Sequence, residues 1–210
     1  HTSFKCDWSS DVCSSDLISF SLLISSLPFP ESHPSRTTIM PGYLHVYTGN
    51  GKGKTTAALG LALRAAGAGW KVFFAQFAKG IATSERTALG RFTDRITFRQ
   101  FGQPELIRGQ PTERDLNGAE NGLRECRQAV ASGDYQLVVL DEANLGPVLS
   151  LFSLDDLLSL VDSRPDDVEL VITGRCAARQ LLDRADLVTE MQEVKHYYRQ
   201  GVFARVGIEQ

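Results

Sequence analysis

Short apolar runs alternate with amphipathic segments between residues 44 and 189 of this 210-residue chain. The apolar runs are rich in β-branched and aromatic side chains, which is typical of strands buried on both faces of a sheet. They predict six strands, at 44–48, 72–77, 96–101, 137–140, 170–173 and 187–189. The amphipathic segments predict helices over 55–68, 112–131, 154–161 and 177–185.

Strands that alternate with helices predict an α/β fold. The expected architecture is a doubly wound, mainly parallel sheet with helices on both faces. Thr112 is a predicted helix cap, and Ser153 with Asp156 three residues later forms a capping pattern. Residues 40–210 contain no linker or internal repeat, so they are expected to form one domain. Ligands of such sheets bind beyond the carboxyl ends of the strands.

The first 39 residues differ from the rest. They are rich in serine, hold Cys6 and Cys13, and contain an interrupted apolar stretch at 17–27. A secretory signal, a disordered tail and an artefact of translation are the competing interpretations, and the acidic residues near the start fit a signal poorly. Residues 6–17 resemble the translation of a common sequencing adapter. We therefore expect residues 1–39 to be a non-native or disordered leader and the natural protein to start at or near Met40.

Charge and cysteine content narrow the class of protein. The formal net charge is −3, and no lysine- or arginine-rich block predicts a nucleic-acid partner. After residue 40 no apolar run approaches the length of a membrane span. Cys126 and Cys176 lie far apart in sequence and are interpreted as free thiols, which favours a reducing cytoplasm.

A glycine-rich segment at 48–56 joins the first predicted strand to the first predicted helix. It matches the phosphate-loop pattern G-x-x-x-x-G-K-[ST], except that Thr48 stands where the first glycine is expected. Such a loop wraps a polyphosphate in backbone N–H groups, and its lysine and hydroxyl serve the terminal phosphates and Mg²⁺. Together with the predicted sheet, this loop makes the expected fold P-loop NTPase-like (RecA-like). The predicted nucleotide-binding residues are Thr48, Gly49, Asn50, Gly51, Lys52, Gly53, Lys54, Thr55 and Thr56.

Further candidates follow the other strands. Asp141 and Glu142 end the fourth strand. Asp141, with Thr55, is the predicted metal ligand. Three interpretations of Glu142 are open: a base, a residue that binds the groups around the metal, or a contact to a second substrate. Lys79 and Arg175 are predicted to face the triphosphate, with a solvated surface cation as the alternative for each. The predicted catalytic residues are Lys54, Glu142 and Arg175. His196 is a weak site candidate beside two tyrosines.

Together these segments resemble the ATP:corrinoid adenosyltransferases. The resemblance covers 40–210 and includes the threonine that opens the loop and the extra lysine inside it. Its motifs are Tyr-Thr-Gly-Asn-Gly-Lys-Gly-Lys-Thr-Thr (47–56), Gln-Phe-x-Lys-Gly (76–80), Val-Leu-Asp-Glu (139–142), Arg-Pro (164–165), Thr-Gly-Arg (173–175), Asp-Leu-Val-Thr-Glu-Met (186–191), Lys-His (195–196) and Gly-Ile-Glu (207–209).

The resemblance implies transfer of the 5′-deoxyadenosyl group of ATP to Co(I) of a corrinoid, with triphosphate as the leaving group. It implies ATP and a reduced corrinoid as substrates, Mg²⁺ or Mn²⁺ as metal, and a homodimer. The sequence holds no flavin or iron–sulfur motif, so an external reductase for Co(II) is expected. The alternatives are a phosphate-loop small-molecule kinase or ATPase, and an ATP-gated corrinoid-binding or delivery module.

One segment departs from the best-known bacterial members. They carry a Phe-Thr-Trp stretch that helps displace the lower ligand of the corrinoid, whereas residues 101–109 of this chain contain no tryptophan. Phe101, Leu106 and Ile107 are the candidates for the apolar wedge, with another segment as the alternative. An apolar environment around cobalt favours loss of the axial ligand.

Overall fold

The structure is a computed structural model that describes residues 40–80, 83–103, 107 and 109–209. The predicted leader, 1–39, lies outside these residues and stays a prediction. Residues Met40–Gln210 form one compact unit. No helix in the described part of the chain is long and apolar enough to cross a membrane.

Six strands occur where the apolar runs predict them. They are β1 (Leu44–Thr48), β2 (Val72–Phe77), β3 (Ile96–Phe101), β4 (Leu137–Asp141), β5 (Glu169–Thr173) and β6 (Leu187–Glu190). The helices are α1 (Lys54–Gly67), α2 (Ser84–Leu89), α3 (Glu113–Ala131), α4 (Leu145–Val148), α5 (Leu154–Asp162) and α6 (Arg179–Leu182), and a 3₁₀ turn covers Tyr197–Gln200.

All six strands form one parallel sheet in the order β3-β2-β4-β5-β1-β6. One strand, β5, lies between β1, which leads into the glycine-rich loop, and β4, which ends in Asp141. The predicted α/β class with a parallel sheet is therefore confirmed. Because all strands run the same way, every loop that follows a strand emerges at the same edge of the sheet.

Helices cover the sheet on both faces. On one face α1 packs small residues such as Ala58 and Ala62 against Phe74 and Val139. On the other face α3, α5 and α6 form a larger core with β2, β4 and β5. The predicted caps of α3 and α5 are present as capping boxes, in which the hydroxyls of Thr112 and Ser153 each accept a backbone N–H at the third helical position.

Several local predictions were wrong. The helix predicted over 177–185 is the single turn Arg179–Leu182, because only Leu181 is fully buried there. The patterns did not reveal α2, α4 or the 3₁₀ turn. All four residues of β6 are exposed rather than covered; β6 lies at the edge of the sheet, and in the described part of the chain it pairs with β1 alone.

Candidate active site

The glycine-rich loop leads directly from β1 into α1 and encloses the side chain of Lys54. Lys54 is the first residue of α1 and is buried, and its Nζ donates hydrogen bonds of 2.8 Å to the carbonyl oxygens of Gly49 and Gly51. Burial lowers the pKa of Lys54, and the nearby Glu142 carboxylate opposes that shift. The loop thus holds a cation at its centre on two neutral acceptors, which an anionic oxygen would replace favourably.

The backbone that follows β6 requires glycine at two positions of the loop. Gly51 N–H donates to Met191 O at 2.6 Å, and Met191 N–H donates to Thr48 O at 2.9 Å. Gly49 has φ 93°, and a Cβ there would fall against Met191 O inside van der Waals contact. A Cβ at Gly51 would lie 2.8 Å from the same carbonyl oxygen. The backbone around Met191 therefore fixes the shape of the loop from outside.

The threonine at the first loop position has a structural partner. Thr48 is 9% exposed, and its Oγ1 accepts a hydrogen bond of 3.3 Å from the backbone N–H of Ala177, in the segment after β5. A glycine would lose this link. The departure from the phosphate-loop pattern thus connects the loop to the neighbouring strand end.

Asp141 lies at the centre of a buried hydrogen-bond network. Its side chain is fully buried and accepts hydrogen bonds from Thr173 Oγ1 at 2.6 Å, Gln76 Nε2 at 2.9 Å and Thr55 Oγ1 at 3.2 Å. Sequence reasoning missed Gln76 and Thr173. Both are polar residues at the ends of apolar strands that pair with β4, and this break in the apolar pattern is the signal that marks them.

Glu142 turns back from the end of β4. Its φ of 60° is unusual for a residue other than glycine, and its N–H donates to Thr173 Oγ1 at 3.0 Å. Burial, reinforced by the Asp141 carboxylate, raises the pKa of Glu142, whereas Lys79, Lys54 and Arg175 oppose this shift. Glu142 is thus an acidic group among three predicted site cations.

The predicted cations Lys79 and Arg175 differ in their surroundings. Lys79 is partly exposed, and its Nζ lies 3.9 Å from Glu85 Oε1, on α2. Arg175 is exposed and follows Gly174, whose φ is 133°. Asn50 and Thr56 are also exposed. The predicted site residues follow the ends of β1, β2, β4 and β5, so they all occur at the carboxyl edge of the sheet: 48–56, 79, 141–142 and 175.

The metal prediction was tested against the oxygen donors that the chain offers. Thr55 Oγ1 and the buried Asp141 carboxylate lie 3.2 Å apart, where the glycine-rich loop enters α1. Among the described residues no group of three or more His, Cys, Asp or Glu side chains is arranged to hold a metal ion. One carboxylate and one hydroxyl fit Mg²⁺, which keeps several waters and takes further oxygens from substrate phosphates.

The C-terminal segment contacts the loop, a feature that the sequence did not reveal. Lys52 Nζ donates to Glu209 Oε1 at 2.6 Å, to Ile208 O at 2.9 Å and to Tyr197 OH at 3.2 Å. His196 caps the 3₁₀ turn through a hydrogen bond of 3.1 Å from Tyr198 N–H to its Nδ1. His196 thus stabilises the turn that presents Tyr197 to Lys52.

The two described cysteines are free. Cys126 is fully buried within α3, and burial raises the pKa of its thiol. Cys176 is exposed and has φ 56°. A buried thiol with a raised pKa is inert as a nucleophile, so Cys126 is a core residue.

The wedge candidates and a cavity beside Asn144 constrain where a large ligand can lie. Phe101 is 8% exposed and packs on Phe77, with ring centroids 5.7 Å apart, so its ring belongs to the core. Ile107 is half-buried, whereas Leu106 lies outside the described residues. An apolar cavity of about 180 Å³ lies beside Asn144. Cavities of about 150 Å³ hold a benzene ring.

Comparison with known proteins identifies similar sequences. Residues 40–210 match the profile of a family described as ATP:corrinoid adenosyltransferase BtuR/CobO/CobP. A corrinoid adenosyltransferase of Pseudomonas aeruginosa is 38% identical over 169 residues, which are 80% of this chain and 83% of that protein. Corrinoid adenosyltransferase CobA of Salmonella typhimurium is 36% identical over 169 residues, 80% of this chain and 85% of the relative.

A crystal structure of the RadB recombinase is a more distant likeness. It covers 79% of this chain and 84% of its own, with a TM-score of 0.46 and 19% sequence identity. This likeness is too weak to bear on the site.

Proposed function

The chain belongs to the ATP:corrinoid adenosyltransferase family, and from this premise we propose how its residues transfer the adenosyl group of ATP to a corrinoid. The family and the named relatives support ATP-dependent adenosyl transfer as the activity. The observation that carries the residue assignments is the position of Lys54 inside the loop, with Thr55 in hydrogen-bond contact with Asp141.

The triphosphate binds in the glycine-rich loop. Lys54 Nζ exchanges its two carbonyl acceptors for phosphate oxygens, which bind an ammonium more strongly because they are charged. The N–H groups of the first turn of α1 add the positive end of the helix dipole. Lys52, Lys79 and Arg175 supply further positive charge around the leaving group.

The chemical step is a substitution at carbon 5′ of the ribose. The electron pair of Co(I) forms the Co–C bond while the C5′–O bond breaks, and its electrons leave with triphosphate. Co(I) carries no proton, so the step needs no general base. Catalysis rests on alignment of the two substrates and on stabilisation of the departing charge by Lys54, Arg175 and the loop amides.

Glu142 orients the cations of the site. It is the acidic group whose charge is felt by Lys54, Lys79 and Arg175. A carboxylate in that position keeps flexible cationic side chains directed towards the site before the triphosphate arrives. We assign Glu142 this role rather than that of a base.

Thr55 and Asp141 hold Mg²⁺, or Mn²⁺ in its place, through the hydroxyl and the carboxylate. When bound, the ion neutralises charge on the phosphate oxygens. Gln76 and Thr173 keep the Asp141 carboxylate in place by donating hydrogen bonds to it.

The corrinoid binds outside the cavity beside Asn144, since a macrocycle of four pyrrole-type rings exceeds a space of benzene size. The family resemblance supports a homodimer. The lack of a flavin or iron–sulfur motif in the sequence supports an external reductase that makes Co(I), and the free cysteines favour a cytoplasmic location. These three remain predictions.

The test is an anaerobic reaction of the protein with ATP, Mg²⁺ and chemically reduced corrinoid. We expect the corrin spectrum of an alkylated cobalt and one triphosphate per turnover. Orthophosphate or ADP as product would instead indicate an ATPase or a kinase. ATP-dependent release of bound corrinoid without adenosylation would indicate a delivery module, and either result would refute the proposal.

A single variant tests the role of the loop lysine. Lys54→Ala should abolish adenosyl transfer, because the departing triphosphate loses its central cation. Lys71→Ala is the matched control, since Lys71 is exposed and precedes β2 at the opposite edge of the sheet. A Lys54→Ala protein as active as the control would contradict the assignment.

A further inference from the structure

The hydrogen bonds of Lys52 are all directed to the C-terminal segment. An ammonium group has three N–H donors. Lys52 Nζ makes three hydrogen bonds, to Glu209 Oε1, Ile208 O and Tyr197 OH. Its donors are therefore fully used, and a phosphate oxygen can bind Lys52 only by displacing one of these acceptors.

Glu209 is a charged competitor in this set. Its carboxylate accepts hydrogen bonds from Arg205 N at 2.8 Å and from the Arg205 guanidinium at 3.2 Å, as well as from the Tyr197 hydroxyl. The Arg205 and Lys52 cations hold the pKa of Glu209 well below its usual range, so the carboxylate stays ionised at neutral pH. The acceptor at Lys52 thus carries the same sign of charge as a phosphate group.

The segment that carries Glu209 begins at Met191, whose backbone is hydrogen-bonded to the glycine-rich loop. Met191 continues the pairing of β6 with β1 and binds the N–H of Gly51, the residue before Lys52. Residues 191–209 therefore leave the sheet beside the glycine-rich loop, and their end contacts the same loop again at Lys52. Any change in the partners of Lys52 acts on the end of this segment, whereas its start stays fixed in the sheet.

We propose that the Glu209 carboxylate occupies a phosphate position on Lys52 in the nucleotide-free protein, and that bound triphosphate displaces it and releases residues 197–209 from the loop. This inference rests on the proposed binding of triphosphate in the loop. It makes Glu209 a positioning residue that weakens triphosphate binding. It also makes the state of the C-terminal segment depend on occupancy of the loop.

The first test measures binding of inorganic tripolyphosphate by calorimetry, with Mg²⁺ and at constant ionic strength. Glu209→Gln keeps the size of the side chain and removes the competing charge. We expect it to bind tripolyphosphate about two- to fivefold more tightly than the wild type, the range of a partly exposed ion pair. Glu193→Gln is the matched control, because Glu193 pairs with Arg199 in the same segment and should leave the affinity unchanged.

The second test measures hydrogen exchange in residues 197–209. Tripolyphosphate should speed exchange there in the wild type, and Glu209→Gln should show fast exchange without ligand. Equal or weaker binding by Glu209→Gln, or exchange that tripolyphosphate leaves unchanged or slows, would overturn the inference.

Neither measurement uses a corrinoid, so the inference and the proposed chemistry can fail separately. Tripolyphosphate-dependent release in a protein without adenosyl transfer would support the inference and refute the chemistry. A protein that transfers the adenosyl group, but whose C-terminal segment shows no change in hydrogen exchange with tripolyphosphate, would support the chemistry and refute the inference. No binding of tripolyphosphate by the wild type or Glu209→Gln would overturn both.

Discussion

The hydroxyl of Thr173 supports both acidic residues of the site, so its removal is a demanding test. Thr173 is fully buried at the end of β5; its Oγ1 donates to Asp141 at 2.6 Å and accepts from Glu142 N–H at 3.0 Å. Valine matches threonine in shape but has no hydroxyl. Loss of a hydrogen bond to a charged group costs about 1.5–3 kcal/mol, and an unpaired buried amide costs about 1–3 kcal/mol.

Thr173→Val should therefore lower the free energy of unfolding by about 2–5 kcal/mol, a range that allows for the two losses sharing one side chain. Urea denaturation of the ligand-free protein measures this change. The metal dependence should shift as well, because loss of a residue that holds a metal ligand typically costs about 10–100-fold in metal affinity or activity. Initial rates at saturating ATP and increasing Mg²⁺ concentration give that value.

Thr173→Ser separates the hydroxyl from the methyl group. Serine restores both hydrogen bonds and should recover most of the Mg²⁺ dependence, although it loses the packing of one methyl group. If Thr173→Val unfolds like the wild type and needs no more Mg²⁺, the Thr173 hydroxyl does not hold Asp141 in place. A serine variant as impaired as valine would show that packing, rather than hydrogen bonding, matters at this position.

Three further predictions use other parts of the chain. Gly122→Ala should lower the free energy of unfolding in urea by about 1–3 kcal/mol, because its Cβ would lie 2.7 Å from the ring of Phe77. Gly118→Ala, in the same helix, meets no atom within 4 Å and should raise the free energy of unfolding by about 0.5–1 kcal/mol. Similar effects of the two changes would contradict the packing. Burial raises the pKa of Glu142 above 4.5, so the folded protein binds this proton more tightly than the unfolded chain and its stability falls as pH rises through that window. Glu142→Gln without ligand should therefore gain stability over the wild type as pH rises from 4.5, and a difference independent of pH would refute the shift. Lys54→Ala should bind tripolyphosphate more weakly in calorimetry, and unchanged affinity would exclude Lys54 from the phosphate site.

The strands were predictable because each coincides with a short run rich in apolar and β-branched residues, and β1, β2, β4 and β5 are also largely buried in the sheet. The bounds of β1, β2 and β3 agree with the prediction, and the other three differ by one residue. Placement of Asp141 beside the glycine loop followed from the rule that loops after parallel strands share one edge. The helix over 177–185 was too long because Leu181 and Leu182 are compatible with one turn as well as with three.

Contacts between polar residues that lie far apart in the chain could not be predicted from the sequence. Periodicity gives the number of strands but not their order, so it does not show that the ends of β2 and β5 flank Asp141. The partners of Lys52 lie about 150 residues away, in a segment with no regular pattern. Lys52 was interpreted from its position in the loop alone, and only the structure reveals a competing acceptor.

The loop glycines illustrate which parts of a phosphate-loop pattern support a nucleotide site. Gly49 and Gly51 are required here even without a ligand, since the backbone at Met191 leaves no space for a Cβ at either position. Their presence is therefore equally compatible with a structural turn. The features that a structural turn does not explain are a buried lysine whose described hydrogen bonds both go to carbonyl oxygens, and a hydroxyl in contact with a buried carboxylate. The carbonyl oxygens that accept from Lys54 carry no net charge, so a ligand that supplies negative oxygen at Lys54 would bind this ammonium more strongly than they do.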